Sequence, residues 1–334
     1  MTALAANAMF SPRTHGSSSK ATRSKTAQEL RVVRTDIREG RFQRSLCLIA
    51  GTASLISGLE VSYEHYKGSY GQRIMYTPVI LSGALFASGI WGFFSGAAAR
   101  TVLRTVSAIT AGDCVVGFCF HARGIQRKPG GWRLPLTNIV MGPPIFAPLL
   151  FGTSAYLGLI ASFLQREGAP QENLRSGPKT SAFSSLLPPK EEREMISVEQ
   201  DIREGRFQKQ MAIVTAASAL FSGFEAWYSH YKNNFRYKAQ WTPILVAPLL
   251  AAASIAAVKN RKAATRLLPV VSSVAAADAA AGFFYHARGV LRRPGGKKHF
   301  LYNIVYGPPI FAPLLFGAAG MFGLLTSLLR RSKR

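Results

Sequence analysis

The sequence predicts an all-α, polytopic integral membrane protein whose eight transmembrane helices form two parallel four-helix repeats. Three observations carry that prediction. Apolar runs able to cross about 30 Å of hydrocarbon alternate with strongly basic connections. Peptides from the first half return unaltered in the second. The few acidic groups inside the apolar runs stand at matching places in both halves. The chain of 334 residues carries a formal net charge of +25. Its mean hydropathy of +0.11 averages two very different kinds of segment.

Residues 1–35 read as a disordered basic tail, and 1–28 contain no acid, a composition shared with organellar targeting segments. "DIREGRFQ" (Asp36–Gln43) alternates charge with Ile and Phe, which predicts a short helix lying at the interface. The first repeat, 36–165, then offers spans near 46–64, 77–96, 104–121 and 142–164. Thr77 and Pro78 look like a cap followed by proline at the first helical position, and Pro143 and Pro144 do the same for the fourth span. Pro148 would come a turn later and leave a carbonyl free or bend the helix. Residues 166–200, rich in Pro, Ser and mixed charge, form a cytoplasmic linker. The second repeat, 201–334, offers spans near 211–229, 242–258, 267–286 and 307–329, with Pro308, Pro309 and Pro313 matching the first three prolines.

The matched peptides share one offset. "DIREGRFQ" returns at Asp201, "HARG" passes from 121 to 286, and "GPPIFAPLLFG" passes from Gly142 to Gly307, each 165 residues later. No insertion separates the copies, so loops as well as helices kept their lengths. Four spans per copy return the chain to its starting side, which makes the halves like-facing. Of 41 Lys and Arg, 27 lie in the tails, the linker and the connections between the second and third spans of each half. Positive charge stays inside, so both termini are expected in the cytoplasm, most simply of a bacterial inner membrane, with an organellar membrane as the alternative. The outer connections hold no acid beyond the helix ends and many bases. That face suits anionic lipid headgroups, an acidic protein or other subunits of a membrane complex. Nucleic acid is not expected, because the bases straddle membrane spans without a binding motif.

Polar groups within the spans supply the candidate sites. Glu60 and Glu225, in "SGLEVSYEHYK" and "SGFEAWYSHYK", keep their places while neighbouring apolar letters drift. Asp113 and Asp278 stand eight or nine residues from either end of their expected spans, where a charge costs about 2.5 to 3.5 kcal/mol and demands a partner or a proton. Asn138 is a candidate partner. Gly117 and Gly282 follow on the same face and permit close helix approach. His65 with His121, and His230 with His286, end parallel spans on the outer side. Such pairs suit axial ligation of haem, with Arg123 or Arg288 for a propionate, or a metal ion completed by the nearby carboxylates. Cys47, Cys114 and Cys119 have no counterparts in the other half and read as packing residues. No nucleophile elbow, phosphate loop, zinc-protease or dinucleotide signature occurs. The expected function is therefore a membrane subunit of a redox or electron-transfer assembly binding haem, metal or quinone. The alternatives are a proton-coupled transporter of an anionic solute and a scaffold without chemistry. The proline-rich peptide is expected to line the interior near the His and Arg groups of its own half, or to meet its twin across the pseudo-twofold axis.

Overall fold

A computed structural model describes residues 16–168 and 188–332, which are wholly helical apart from their turns and connections. Among the described residues five helical runs are long and apolar enough to cross a membrane: Gln43–Lys67, Arg73–Phe94, Gly96–Gln126, Lys238–Lys259 and Ala263–Leu291. They mark a multi-pass membrane protein. Two further apolar helices, Ala147–Phe163 and Ala312–Leu328, are 17 residues long.

The first half contains α1 (Gly16–Arg38), α2 (Gln43–Lys67), α3 (Thr77–Phe94), the single turn α4 (Gly96–Ala98), α5 (Arg104–Gln126), α6 (Pro135–Val140) and α7 (Ala147–Phe163). A π-helical turn, Ala99–Leu103, joins α4 to α5. The second half contains α8 (Pro189–Arg203), α9 (Gln208–Lys232), α10 (Thr242–Lys259), α11 (Leu268–Leu291), α12 (Phe300–Tyr306) and α13 (Ala312–Leu328). In each half the four long helices pack in a ring, α2–α3–α5–α7 and α9–α10–α11–α13, which leaves α2 and α5, or α9 and α11, on the diagonal.

Small residues let these helices approach. The second core is built mostly of alanine around Leu250 and Leu268, as expected where lipid supplies no hydrophobic drive between helices. Large apolar side chains point outward instead, with Ile80 67% and Phe94 72% exposed, which fits a lipid-facing flank. Buried Gln43 closes the other end of the α7 helix, donating from Nε2 to the carbonyls of Ala161 (3.1 Å) and Leu164 (2.9 Å).

The halves pack on one another. The first core cluster runs from Phe42 and Leu46 through Phe207 and Met211 to Phe322. The rings of Phe42 and Phe207 stack with centroids 6.5 Å apart. Beside them the two "DIREGRFQ" peptides meet back to back. Gly40 and Gly205 both turn with φ near +70°, and a Cβ on Gly40 would run into the Arg203 carbonyl. These peptides are not the short helices expected of them. Each ends a longer helix, α1 or α8, and then turns at the glycine into the next span, because a left-handed glycine stops a helix.

Other boundaries differ from expectation for local reasons. Helix α1 starts within the stretch expected to be a disordered tail; residues 1–15 lie outside the described residues. The second part of the expected linker is α8, with Glu191 and Glu192 in its first turn complementing the helix dipole, while 169–187 lie outside the described residues. The fourth spans are shorter than 142–164 and 307–329. Pro143 and Pro144, and Pro308 and Pro309, lie before the helix instead of opening it, because a residue preceding proline is pushed out of the helical region. Pro148 and Pro313 fall in the first turn, where a missing N–H is an orphan anyway, so neither leaves the free carbonyl expected of it.

Candidate functional site

The polar groups converge where α7 and α13 begin. Glu225 leaves α9 and reaches into the other half, where its Oε1 accepts the backbone N–H of Phe146 at 2.8 Å. The Ala147 amide also faces it, and Tyr228, one turn along, donates its hydroxyl to Oε2. Phe146 is the N-cap residue of α7, with no side-chain cap of its own. A carboxylate from one half thus closes the helix N-terminus of the other, where unpaired amides and the dipole both favour negative charge. Ring contacts seal the spot: Phe146 stacks on Phe221 at 4.4 Å and on Phe118 at 6.3 Å.

The twin arrangement is looser. Glu60 faces the Phe311 amide and Tyr63, yet its Oε2 and the Tyr63 hydroxyl close no hydrogen bond. Phe311 is the N-cap residue of α13. The peptide shared letter for letter therefore does two jobs in each half. It receives a carboxylate from across the interface, and it holds a histidine from its own half. His121 donates from Nδ1 to the Pro144 carbonyl at 2.6 Å, and His286 does the same to Pro309 at 2.6 Å. Gly124 and Gly289 of "HARG" admit Pro143 and Pro308 against α5 and α11.

His65 donates from Nδ1 to the Met75 carbonyl at 2.7 Å and lies within electrostatic reach of His121. His230 and His286 bring their ring centroids to 6.3 Å, at 81° to one another. A carbonyl oxygen can only accept, so Nδ1 of His65, His121 and His286 carries the proton. In the neutral ring, Nε2 then offers its lone pair. Arg123 and Arg288 stand exposed a half-turn beyond these histidines.

The carboxylates do not join the imidazoles. Among the described residues no group of three or more His, Cys, Asp or Glu could hold a metal ion. Asp113 lies eight residues, about 12 Å, below His121 on the same helix. It accepts instead from the Thr77 hydroxyl at 2.6 Å, and Asp278 is met by Thr242 in the same way. Thr77 is the first residue of α3. Asp113 accordingly sits at the level where α3 starts, near one end of that helix. The helical run extends from 96 to 126, so Asp113 stays near the middle of its own run while standing level with the first residue of α3. Asn138 is not its partner; its Nδ2 donates to the Pro129 and Gly131 carbonyls and staples the loop before α6.

Sequence reasoning found the residues but not the pairing across halves. The available signal was the strict identity of a peptide that mere apolarity would have let drift. Comparison with family models, with characterised proteins and with solved structures yields no match for this chain.

Proposed function

We propose that the chain is an eight-span membrane protein of two like-facing four-helix repeats with both termini cytoplasmic, in a bacterial inner membrane. Its proposed role is that of a membrane subunit in a redox or electron-transfer assembly, holding haem or a transition metal at its paired outer imidazoles. The identical element bounds at an offset of 165 support the architecture, as α2 and α9, α3 and α10, and α7 and α13 illustrate. The observation that carries the function is the set of backbone-tethered histidines. Fixing Nδ1 on a carbonyl sets the tautomer and aims the other nitrogen, the arrangement that orients histidine ligands of metals. With no third protein ligand at hand among the described residues, two imidazoles suit a centre whose remaining ligands come from elsewhere, as a porphyrin supplies them.

The test is an absorption spectrum with elemental analysis of detergent-purified protein, repeated for His121→Ala and His286→Ala. A Soret band or bound iron or copper that each variant reduces supports the reading. Protein free of chromophore and metal after expression with haem and metal supplementation refutes it.

One set of contacts favours a second reading, that of a scaffold. Glu225, Asp113 and Asp278 are all engaged by partners on neighbouring helices, which fits groups employed to fasten helices together.

A further inference from the structure

The outer interface between the halves holds a two-part groove. Its lower part, about 360 Å³, is walled by Ile139, Phe146, Leu220, Phe221 and Phe224 and is almost wholly apolar. Its upper part, about 490 Å³, is bounded by Val140 and Met141 on one side and by Tyr231, Lys232 and Asn234 on the other. The two parts are consecutive on both walls: residue 139 passes to 140 and 141 at the end of α6, and two turns of α9 separate Phe224 from Tyr231. An apolar trough thus opens upward into a polar mouth.

The charge at the mouth is unbalanced. Around Lys232 stand Lys128 and Lys67, with Glu225 and Glu64 as the acids. Glu225 is spent on the amides at the start of α7. Glu64 holds Lys67 at 2.6 Å. The position corresponding to Glu64 in the second half is Ser229, so Lys232 has no acid one turn before it and rests over the Tyr228 ring at 5.1 Å. Among the described residues neither Lys128 nor Lys232, beside the polar mouth, forms an ion pair. The counterpart place in the first half lacks both features, since Ile56 and Leu59 stand where the second half has Phe221 and Phe224, and Lys67 is neutralised.

We propose that this groove binds one anionic phospholipid, its phosphate between Lys232 and Lys128 and an acyl chain along Phe221 and Phe224. The inference rests on the reading of the chain as membrane-embedded. An amphiphile is the occupant because the groove grades from apolar to cationic along one line. The charge must be negative because, among the described residues at the mouth, Glu225 and Glu64 are already engaged and Lys128 and Lys232 form no ion pair.

The test uses full-length protein in detergent with added phosphatidylglycerol or phosphatidylcholine, with lipid retention read by native mass spectrometry. Wild type is expected to hold one phosphatidylglycerol in preference to phosphatidylcholine. The double variant Lys128→Ala, Lys232→Ala should weaken that retention about thirtyfold, the effect of two surface lysines facing an anionic headgroup. Lys67→Ala combined with Glu64→Ala, which removes a neutral pair, should leave it unchanged. Leu220→Trp, filling a half-exposed wall position, should lower retention of both lipids. Equal retention of the two lipids by wild type, or retention indifferent to loss of both lysines, overturns the proposal. So does displacement by inorganic phosphate, which would indicate a headgroup site without a chain. Recovery of the protein from membranes without detergent would instead overturn the membrane reading beneath it.

Discussion

Removing the Glu225 side chain tests the closure that joins the halves. Glu225→Ala deprives the Phe146 and Ala147 amides and the Tyr228 hydroxyl of their acceptor. Each polar group left unpaired in a buried place costs about 1 to 3 kcal/mol. With some relaxation and water entry, the sum is about 3 to 6 kcal/mol, a large share of a total of about 5 to 15. Glu225→Gln keeps one acceptor oxygen and sheds a charge that was costly to bury, so it should lose only about 1 to 2 kcal/mol. Glu60→Ala should cost less than Glu225→Ala, because Glu60 leaves Oε2 unbonded. Thermal unfolding in detergent, followed by tryptophan fluorescence and by size exclusion, measures the three. The expected order is Glu225→Ala, then Glu60→Ala, with Glu225→Gln near or below it. The reasoning is refuted if Glu225→Ala falls within about 0.5 kcal/mol of wild type, the range of an uninvolved surface position, or if Gln costs as much as Ala.

Thr77→Val removes the donor to Asp113 at 2.6 Å and should lower stability by about 1 to 3 kcal/mol, with Asp113→Asn milder, as the same melts would show. Gly117→Leu should destabilise by about 1 to 3 kcal/mol or more, since even a Cβ at Gly117 would stand 3.2 Å from the Pro148 Cβ. Gly40→Ala combines a left-handed φ of +71° with collision against the Arg203 carbonyl and should cost at least about 2 kcal/mol, detectable as a lower melting temperature. Outside the spans, partial burial of Glu199 in α8 raises its pKa, against the pull of Arg104. The folded state then holds its proton to higher pH than the unfolded state. Stability from this group is complete below the unfolded carboxylate value, declines as pH rises toward the folded value, and is level above it. Glu199→Gln should flatten that decline in a pH series of melts.

Much of the helical content was legible because a membrane span is an extreme signal. Runs such as 77–96 and 242–258 have no soluble equivalent, and the helices there start within a residue or so of expectation. Boundaries failed where proline chemistry competed with hydropathy. Residues 142–146 are as apolar as the helix that follows, but consecutive prolines keep them out of it, as a bend at 142 and a turn at 145–146. The start of the third span failed for a related reason: the turn at Ala99–Leu103 carries the helix on from Gly96, a continuation that basic residues 100 and 104 disguised as a loop. Pairings were least legible of all. Thr77 and Asp113 lie 36 residues apart, and Glu225 and Phe146 lie 79 apart. No spacing rule within one helix encodes either contact.

What the letters did record was constraint, and the contacts explain where it is strictest. In a pair of like units packed about a twofold axis, residue i of one touches j of the other while j of the first touches i of the second. A change at either position is then felt in both copies. The two longest of the identical peptides, "DIREGRFQ" and "GPPIFAPLLFG", lie at such crossings: Gly40 against Gly205 at one end, and Phe146 and Phe311 under Glu225 and Glu60 at the other. The ends share no side chains, so their losses should add. Gly40→Ala combined with Glu225→Ala should therefore cost the sum of the two single variants within about 0.5 kcal/mol when all are measured in the same detergent. A marked excess over that sum would mean that the halves dock through a single cooperative seam, and the two-ended picture of the interface would have to be abandoned.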